Sequence, residues 1–201
     1  MKTTLLFLFL LVSTIVSAQS DTLRLRIFGI GMKTLNLFNE LNQSLDVFPG
    51  NRIVMMITPT KNFRIQPEIG MSSQGTFNSI LNDDVTNSTF LIGTALVGMW
   101  QYGRTNLYGG LKYLHSSVTM EDVDIIYLQN GGISYTKMES KTNFNTMGLL
   151  VGGEYFLGDH FSVGAEAGYQ RTTGKNDEST NDDEKATFSS TETNLLMRFY
   201  F

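Results

Sequence analysis

Eight strand-like stretches of about ten residues, most of them alternating apolar and polar side chains, are joined by links that run long, short, long, short, long, short, long. A period of two puts successive side chains on opposite faces of an extended strand. Phe63–Ser72 is the clearest case. Phe63, Ile65, Pro67, Ile69 and Met71 fall on one face, and Arg64, Gln66, Glu68, Gly70 and Ser72 on the other. The other stretches are Leu23–Lys33, Asn51–Pro59, Thr89–Gln101, Asn106–Ser117, Asn143–Phe156, Phe161–Thr172 and Phe188–Phe201. In the first, Leu23, Leu25 and Ile27 oppose Arg24 and Arg26. Thr89–Gln101 is apolar on both faces, which leaves its register open. The long links are Thr34–Gly50, Ser73–Ser88, Val118–Thr142 and Thr173–Thr187; the first has the spacing of a short amphipathic helix around Leu35, Phe38 and Leu41. The short ones are Thr60–Asn62, Tyr102–Thr105 and Gly158–His160.

A strand of about ten residues crosses a bilayer at barrel tilt. Short turns at one end and long loops at the other, with an even strand number, are the asymmetry of a membrane barrel. The expected fold is therefore all-β, an eight-stranded antiparallel up-and-down transmembrane β-barrel over residues 19–201. A charge on a lipid-facing position costs about 2–4 kcal/mol at the midplane. Arg64, Glu68, Lys112, Glu154, Glu166 and Arg198 all share a face with polar or small residues. They are the expected lumen charges. A barrel of this size is filled by its own side chains, which predicts ion pairs and no wide channel. Gly70, Gly110, Gly148, Gly152, Gly164 and Gly168 on the same face leave room for long side chains. Phe63, Trp100, Tyr102, Tyr155, Phe161, Phe199 and Phe201 lie beside the short turns or in the last strand and predict an aromatic girdle.

The N-terminus reads as an export signal over residues 1–18. Lys2 precedes an almost continuous apolar run, Leu5–Val16, and Val16-Ser17-Ala18 is a small-x-small cleavage site. That run is shorter than the about 20 residues a membrane helix needs. There are no cysteines, which excludes a disulfide framework and thiolate chemistry. With 15 Lys and Arg against 19 Asp and Glu, the chain concentrates no positive charge, and nucleic acid is not an expected partner.

Two hairpins carry a family resemblance. Thr58–Gly70 (TPTKNFRIQPEIG) and Tyr155–Tyr169 (YFLGDHFSVGAEAGY) are strand–turn–strand units, and the first contains the step Gln66-Pro67-Glu68. They resemble the small outer-membrane β-barrel (porin-like) proteins of Gram-negative bacteria, and at the level of pattern the resemblance extends over residues 19–201. The last strand, with Leu195, Met197, Phe199 and Phe201 on one face, is similar to the C-terminal recognition strand of such barrels. The resemblance implies that Phe199 and Phe201 act as an assembly signal for the barrel-assembly machinery. It also implies a monomer embedded in outer-membrane lipids. It carries no catalytic motif.

No catalytic, cofactor or metal site is expected. Asn176–Lys185 is rich in acidic residues (Asp177, Glu178, Asp182, Asp183, Glu184) but lacks the alternating ligand pattern of a calcium loop. It reads as a solvated loop, as do Glu121, Asp122 and Asp124. The two histidines, His115 and His160, stand in no recognisable triad spacing. Gly29-Ile30-Gly31 lacks the third glycine and the helix of a dinucleotide site. The function expected is structural or surface contact through the long loops, without enzymatic activity. The alternatives are a narrow pore or small-solute binder, and a secreted soluble barrel holding a lipid in its lumen.

Overall fold

A computed structural model describes residues 27–34, 51–78, 83–127, 133–176 and 185–201. The strands are β1 (Phe28–Thr34), β2 (Arg52–Thr60), β3 (Phe63–Asn78), β4 (Asp83–Tyr102), β5 (Thr105–Tyr127), β6 (Ile133–Phe156), β7 (Phe161–Asn176) and β8 (Lys185–Tyr200). Each pairs antiparallel with its neighbours in sequence, and β1 pairs with β8 to close the barrel. Closure leaves no open sheet edge at barrel level, so backbone amides there find partners across a strand wherever the ladders are unbroken. The export signal and the expected helix around Leu35, Phe38 and Leu41 lie outside the described residues.

Turn chemistry accounts for the short-turn end. Gly103 has φ 57°, the left-handed region that a two-residue hairpin turn requires and that glycine reaches without strain. Lys61-Asn62 joins β2 to β3, and residues 157–160 join β6 to β7. Pro67 sits inside β3, where the ladder to β4 is continuous but the ladder to β2 is not. Against β2 the pairs run Arg52↔Gly70 to Val54↔Glu68 and resume only at Ile57↔Ile65. Proline has no N–H to give, and the gap in pairing falls around it.

Sidedness repeats around the ring. Outside stand Ile69 and Met71, Ile92 and Leu96, Leu107 and Leu111, Leu149 and Val151, Leu195 and Met197, all exposed. Nine charged side chains stand inside, while Lys141 and Arg171 are exposed. This exterior band covers about ten residues per strand, roughly 25 Å along the barrel axis at the usual rise and tilt. The aromatic residues predicted near the short turns ring its lower edge. Phe199 and Phe201 stack edge to face at 5.4 Å, and Phe28 lies 5.9 Å from Phe201.

One expectation falls mostly outside the described residues, and two need correction. First, Leu23–Arg26 lie outside those residues, and the facing of β1 is read from Ile27 onward. Phe28, Ile30 and Met32 point out and Lys33 points in, although Lys33 shares the odd positions of Leu23, Leu25 and Ile27. Both Ile27 and Phe28 are exposed, so the alternation breaks where the strand begins. Second, the expected long links Ser73–Ser88 and Val118–Thr142 are mostly strand, and Thr173–Thr187 is strand at both ends. Ladder pairing runs to Asn78↔Asp83, Tyr127↔Ile133 and Lys175↔Lys185. Beyond the band neither face meets an apolar medium, so hydrophobic alternation vanishes while hydrogen-bonded pairing continues. Glu121, Asp122 and Asp124 therefore lie on β5 and not in a loop. Third, the lumen is not polar throughout. Val54, Met56, Phe156 and Tyr200 form one buried apolar cluster, and Ala95, Val97, Met99, Tyr108 and Leu150 another. Higher up, Val118 packs on Phe144. The doubly apolar stretch now has its register: Leu91, Ala95, Val97 and Met99 face in, Phe90, Ile92, Leu96 and Trp100 out.

Candidate functional site

Alternation delivers nine charged side chains to the barrel interior, none more than 4% exposed: Lys33, Arg52, Arg64, Lys112 and Arg198 against Glu68, Glu154, Glu166 and Glu192. Charges buried this deeply persist only when paired and hydrogen-bonded. They sort into two groups.

The first is centred on Glu154 of β6. Arg64 donates from Nη2 to Oε1 at 2.6 Å and Arg198 from Nη1 to Oε2 at 2.7 Å. The Tyr200 hydroxyl donates to Oε2 at 2.6 Å, Ser162 to the same oxygen at 3.1 Å, and Asn106 Nδ2 to Oε1 at 3.0 Å. One carboxylate thus accepts five hydrogen bonds from four strands, β3, β5, β7 and β8. Both guanidiniums also lie over aromatic faces. Arg198 is 5.1 Å from the Tyr108 ring centre and Arg64 is 5.6 Å from that of Tyr200, within cation–π range.

The second group lies along β1, β2, β3, β5, β7 and β8. Lys33 Nζ donates to Glu166 Oε1 at 2.7 Å and sits 2.9 Å from Glu68 Oε2. Arg52 and Lys112 both pair with Glu192, and Arg52 also donates to Asn194 Oδ1 at 3.1 Å. Tyr108 joins the groups: its hydroxyl accepts from Arg198 Nη2 at 2.9 Å and donates to Glu166 Oε2 at 3.4 Å. The result is a cross-brace tying strands from all around the ring.

The six charges expected in the lumen all lie there. Arg64, Glu154 and Arg198 meet directly. Glu68 and Glu166 share Lys33, and Lys112 reaches the network through Glu192. Sequence reasoning did not select Lys33, Arg52 and Glu192. Glu192 stands on the polar face of the last strand, and Arg52 is flanked by the outward Ile53, so alternation was a usable signal for both; Lys33 was hidden by the parity break. Phe199 and Phe201 are exposed on the exterior.

The remaining candidates separate. His115 faces outward, its Nδ1 3.0 Å from Asn145 Oδ1, which also accepts from the Tyr113 hydroxyl at 2.9 Å. Ser116 is buried on the opposite face, so the two make no nucleophile–base pair. His160 is a turn residue bonded through Nδ1 to the Tyr200 carbonyl at 2.8 Å and stacked on Phe199. Glu121 accepts from the Thr86 amide at 2.8 Å. Asp177, Glu178, Asp182, Asp183 and Glu184 lie outside the described residues.

A sequence model described as "Outer membrane protein beta-barrel domain" matches residues 4–199. Among solved structures, this chain is similar to Neisserial surface protein A at 15% identity, over 87% of this chain and 94% of that one, with a TM-score of 0.46. It is similar to Ail, the attachment invasion locus protein of Yersinia pestis, at 15% identity over 86% and 95%, TM-score 0.41. It is also similar to CarO2 of Acinetobacter baumannii at 7% identity over 87% and 98%, TM-score 0.39. No curated protein sequence matches it.

Proposed function

Since the chain belongs to the outer-membrane protein β-barrel domain family, we propose that it is exported by the signal at residues 1–18. It then resides in the outer membrane as a monomeric, non-enzymatic barrel that acts by structural support and surface contact. Outer-membrane lipids surround the apolar band, and the exposed pair Phe199 and Phe201 serves the barrel-assembly machinery. The cross-braced lumen carries this reading. A barrel bolted across its interior by nine buried charges is built to be rigid, and rigid scaffolds act through what their ends present. The strands that continue past the band are the presenting end.

Outer-membrane fractionation, with heat-modifiable migration in detergent gels, tests the location. Release by carbonate would contradict it. Planar-bilayer recording tests the role. A filled lumen passes almost no current, and stable conductance steps would transfer the assignment to a narrow pore. One observation favours that second reading: both amide atoms of Gln66 are buried without a hydrogen-bond partner among the described residues, as befits groups served by water. The soluble lipid-binding alternative requires apolar residues inside and charges outside, the reverse of the observed sidedness.

A further inference from the structure

At the end of the barrel away from the short turns, the exterior carries a groove of about 460 Å³ that neither the lumen nor the turns account for. Its apolar lip is Met71 and Phe90, cross-strand partners that are 73% and 40% exposed. They are the last apolar residues of the band on β3 and β4. The next outward position on each strand is Ser73 and Ser88, and these too are partners. Ser117 and Thr119 of β5 continue the hydroxyl row, and Lys141 of β6, partner of Thr119, closes it. The period of two puts all of these on the exterior side. No carboxylate lines the groove. Glu121 and Glu139 face each other two residues farther out, and Glu121 is occupied by the Thr86 amide and by Lys137 at 4.0 Å.

We propose that this groove seats the phosphate-bearing headgroup of an outer-leaflet lipid. Lys141 supplies the countercharge. The hydroxyls of Ser73, Ser88, Ser117 and Thr119 donate hydrogen bonds, and the first methylenes of the lipid chain lie on Met71 and Phe90. The level of the groove argues for a lipid over a soluble anion. It begins where the apolar band stops, the layer in which acyl chains give way to headgroups. A single cation above an apolar lip matches an amphiphile with one charged end. The inference rests on the membrane reading above, but not on the surface-contact role.

The full chain, refolded into phosphatidylcholine nanodiscs, is titrated with a bisphosphorylated disaccharide lipid and with its dephosphorylated form, and bound lipid is counted by native mass spectrometry. Wild type should prefer the phosphorylated form. Lys141→Gln, an exposed change that spares the fold, should weaken that binding about fivefold, as expected for one lysine at an anionic surface. Lys141→Arg should retain it, and Lys61→Gln in a short turn should match wild type. Inorganic phosphate at millimolar concentration should not displace the lipid. Equal binding of the two lipid forms, an unaffected Lys141→Gln, an equal loss in Lys61→Gln, or displacement by free phosphate overturns the proposal while leaving the membrane reading intact. Failure to insert, seen as loss of heat-modifiable migration, overturns both.

Discussion

Glu154 is the residue on which the interior turns. It neutralises two arginines that would otherwise be buried beside each other, and it draws three further donors, the Tyr200 and Ser162 hydroxyls and the Asn106 amide. Glu154→Gln keeps the shape and removes the charge. Leaving Arg64 and Arg198 without their carboxylate should destabilise the barrel by about 3–5 kcal/mol, measured by urea unfolding of the refolded protein. A loss below about 1 kcal/mol would mean that water screens the site. Gly152 tests packing in place of charge. A Cβ there would lie 2.5 Å from Tyr108 Cζ, in the ring that links the two ion groups. Gly152→Ala should cost about 1–3 kcal/mol by overpacking. Gly98→Ala should be nearly silent in the same assay, because a Cβ there meets nothing closer than 3.8 Å. Both roles were half legible. The inward face of β6 follows from alternation, whereas Tyr108 folding over Gly152 depends on two strands meeting in register.

At the scale of elements, β5 and β6 stand apart. Pairing of β5 to β4 ends at Asn87↔Met120, and pairing of β6 to β7 ends at Thr142↔Asn176. From there to Tyr127↔Ile133 the two strands pair with each other alone among the described residues. An isolated two-stranded ribbon is marginally stable in water. Amides of Glu121–Tyr127 and Ile133–Lys141 should therefore exchange with solvent orders of magnitude faster than those of Leu107–Leu114 and Met147–Glu154. Hydrogen exchange followed by mass spectrometry checks this, and uniform protection along β5 would show that the ribbon is held by something else. The sequence marks this region only as polar and link-like. Hydrophobic periodicity reports the medium against each face, and in water on both sides it falls silent even where the backbone is paired.

The molecule as a whole is an inside-out globule: charges at its centre, apolar residues at its surface. That inversion makes a testable contrast between adjacent residues of β6. Leu149 is 60% exposed on the exterior and Leu150 is buried in the lumen. In a lipid bilayer Leu149→Arg should lose about 2–4 kcal/mol, with the penalty shrinking for the same change nearer the band's edge, as at Tyr155. A position-independent penalty would argue against a hydrocarbon surround. The lumen in turn sets what passes. With Tyr108 and Glu154 binding strands across the full width of the barrel, conduction requires the brace to open.

The strand count, the sidedness and the antiparallel order follow from the sequence alone. A two-residue period with most charges on one face admits one cheap arrangement around a bilayer, and the alternation of short and long links fixes which ends are joined. Residue neighbours across the lumen do not follow. Arg64, Glu154 and Arg198 come from β3, β6 and β8, and nothing in their spacing along the chain says that they meet. That is decided by the ladder offsets accumulated around the closed ring, which set the height of each inward side chain. The same closure settled the register of β4, where both faces are apolar. It also admitted Lys33, whose strand breaks parity, because once the ring is shut an inward lysine is retained only where carboxylates such as Glu68 and Glu166 already wait at its level.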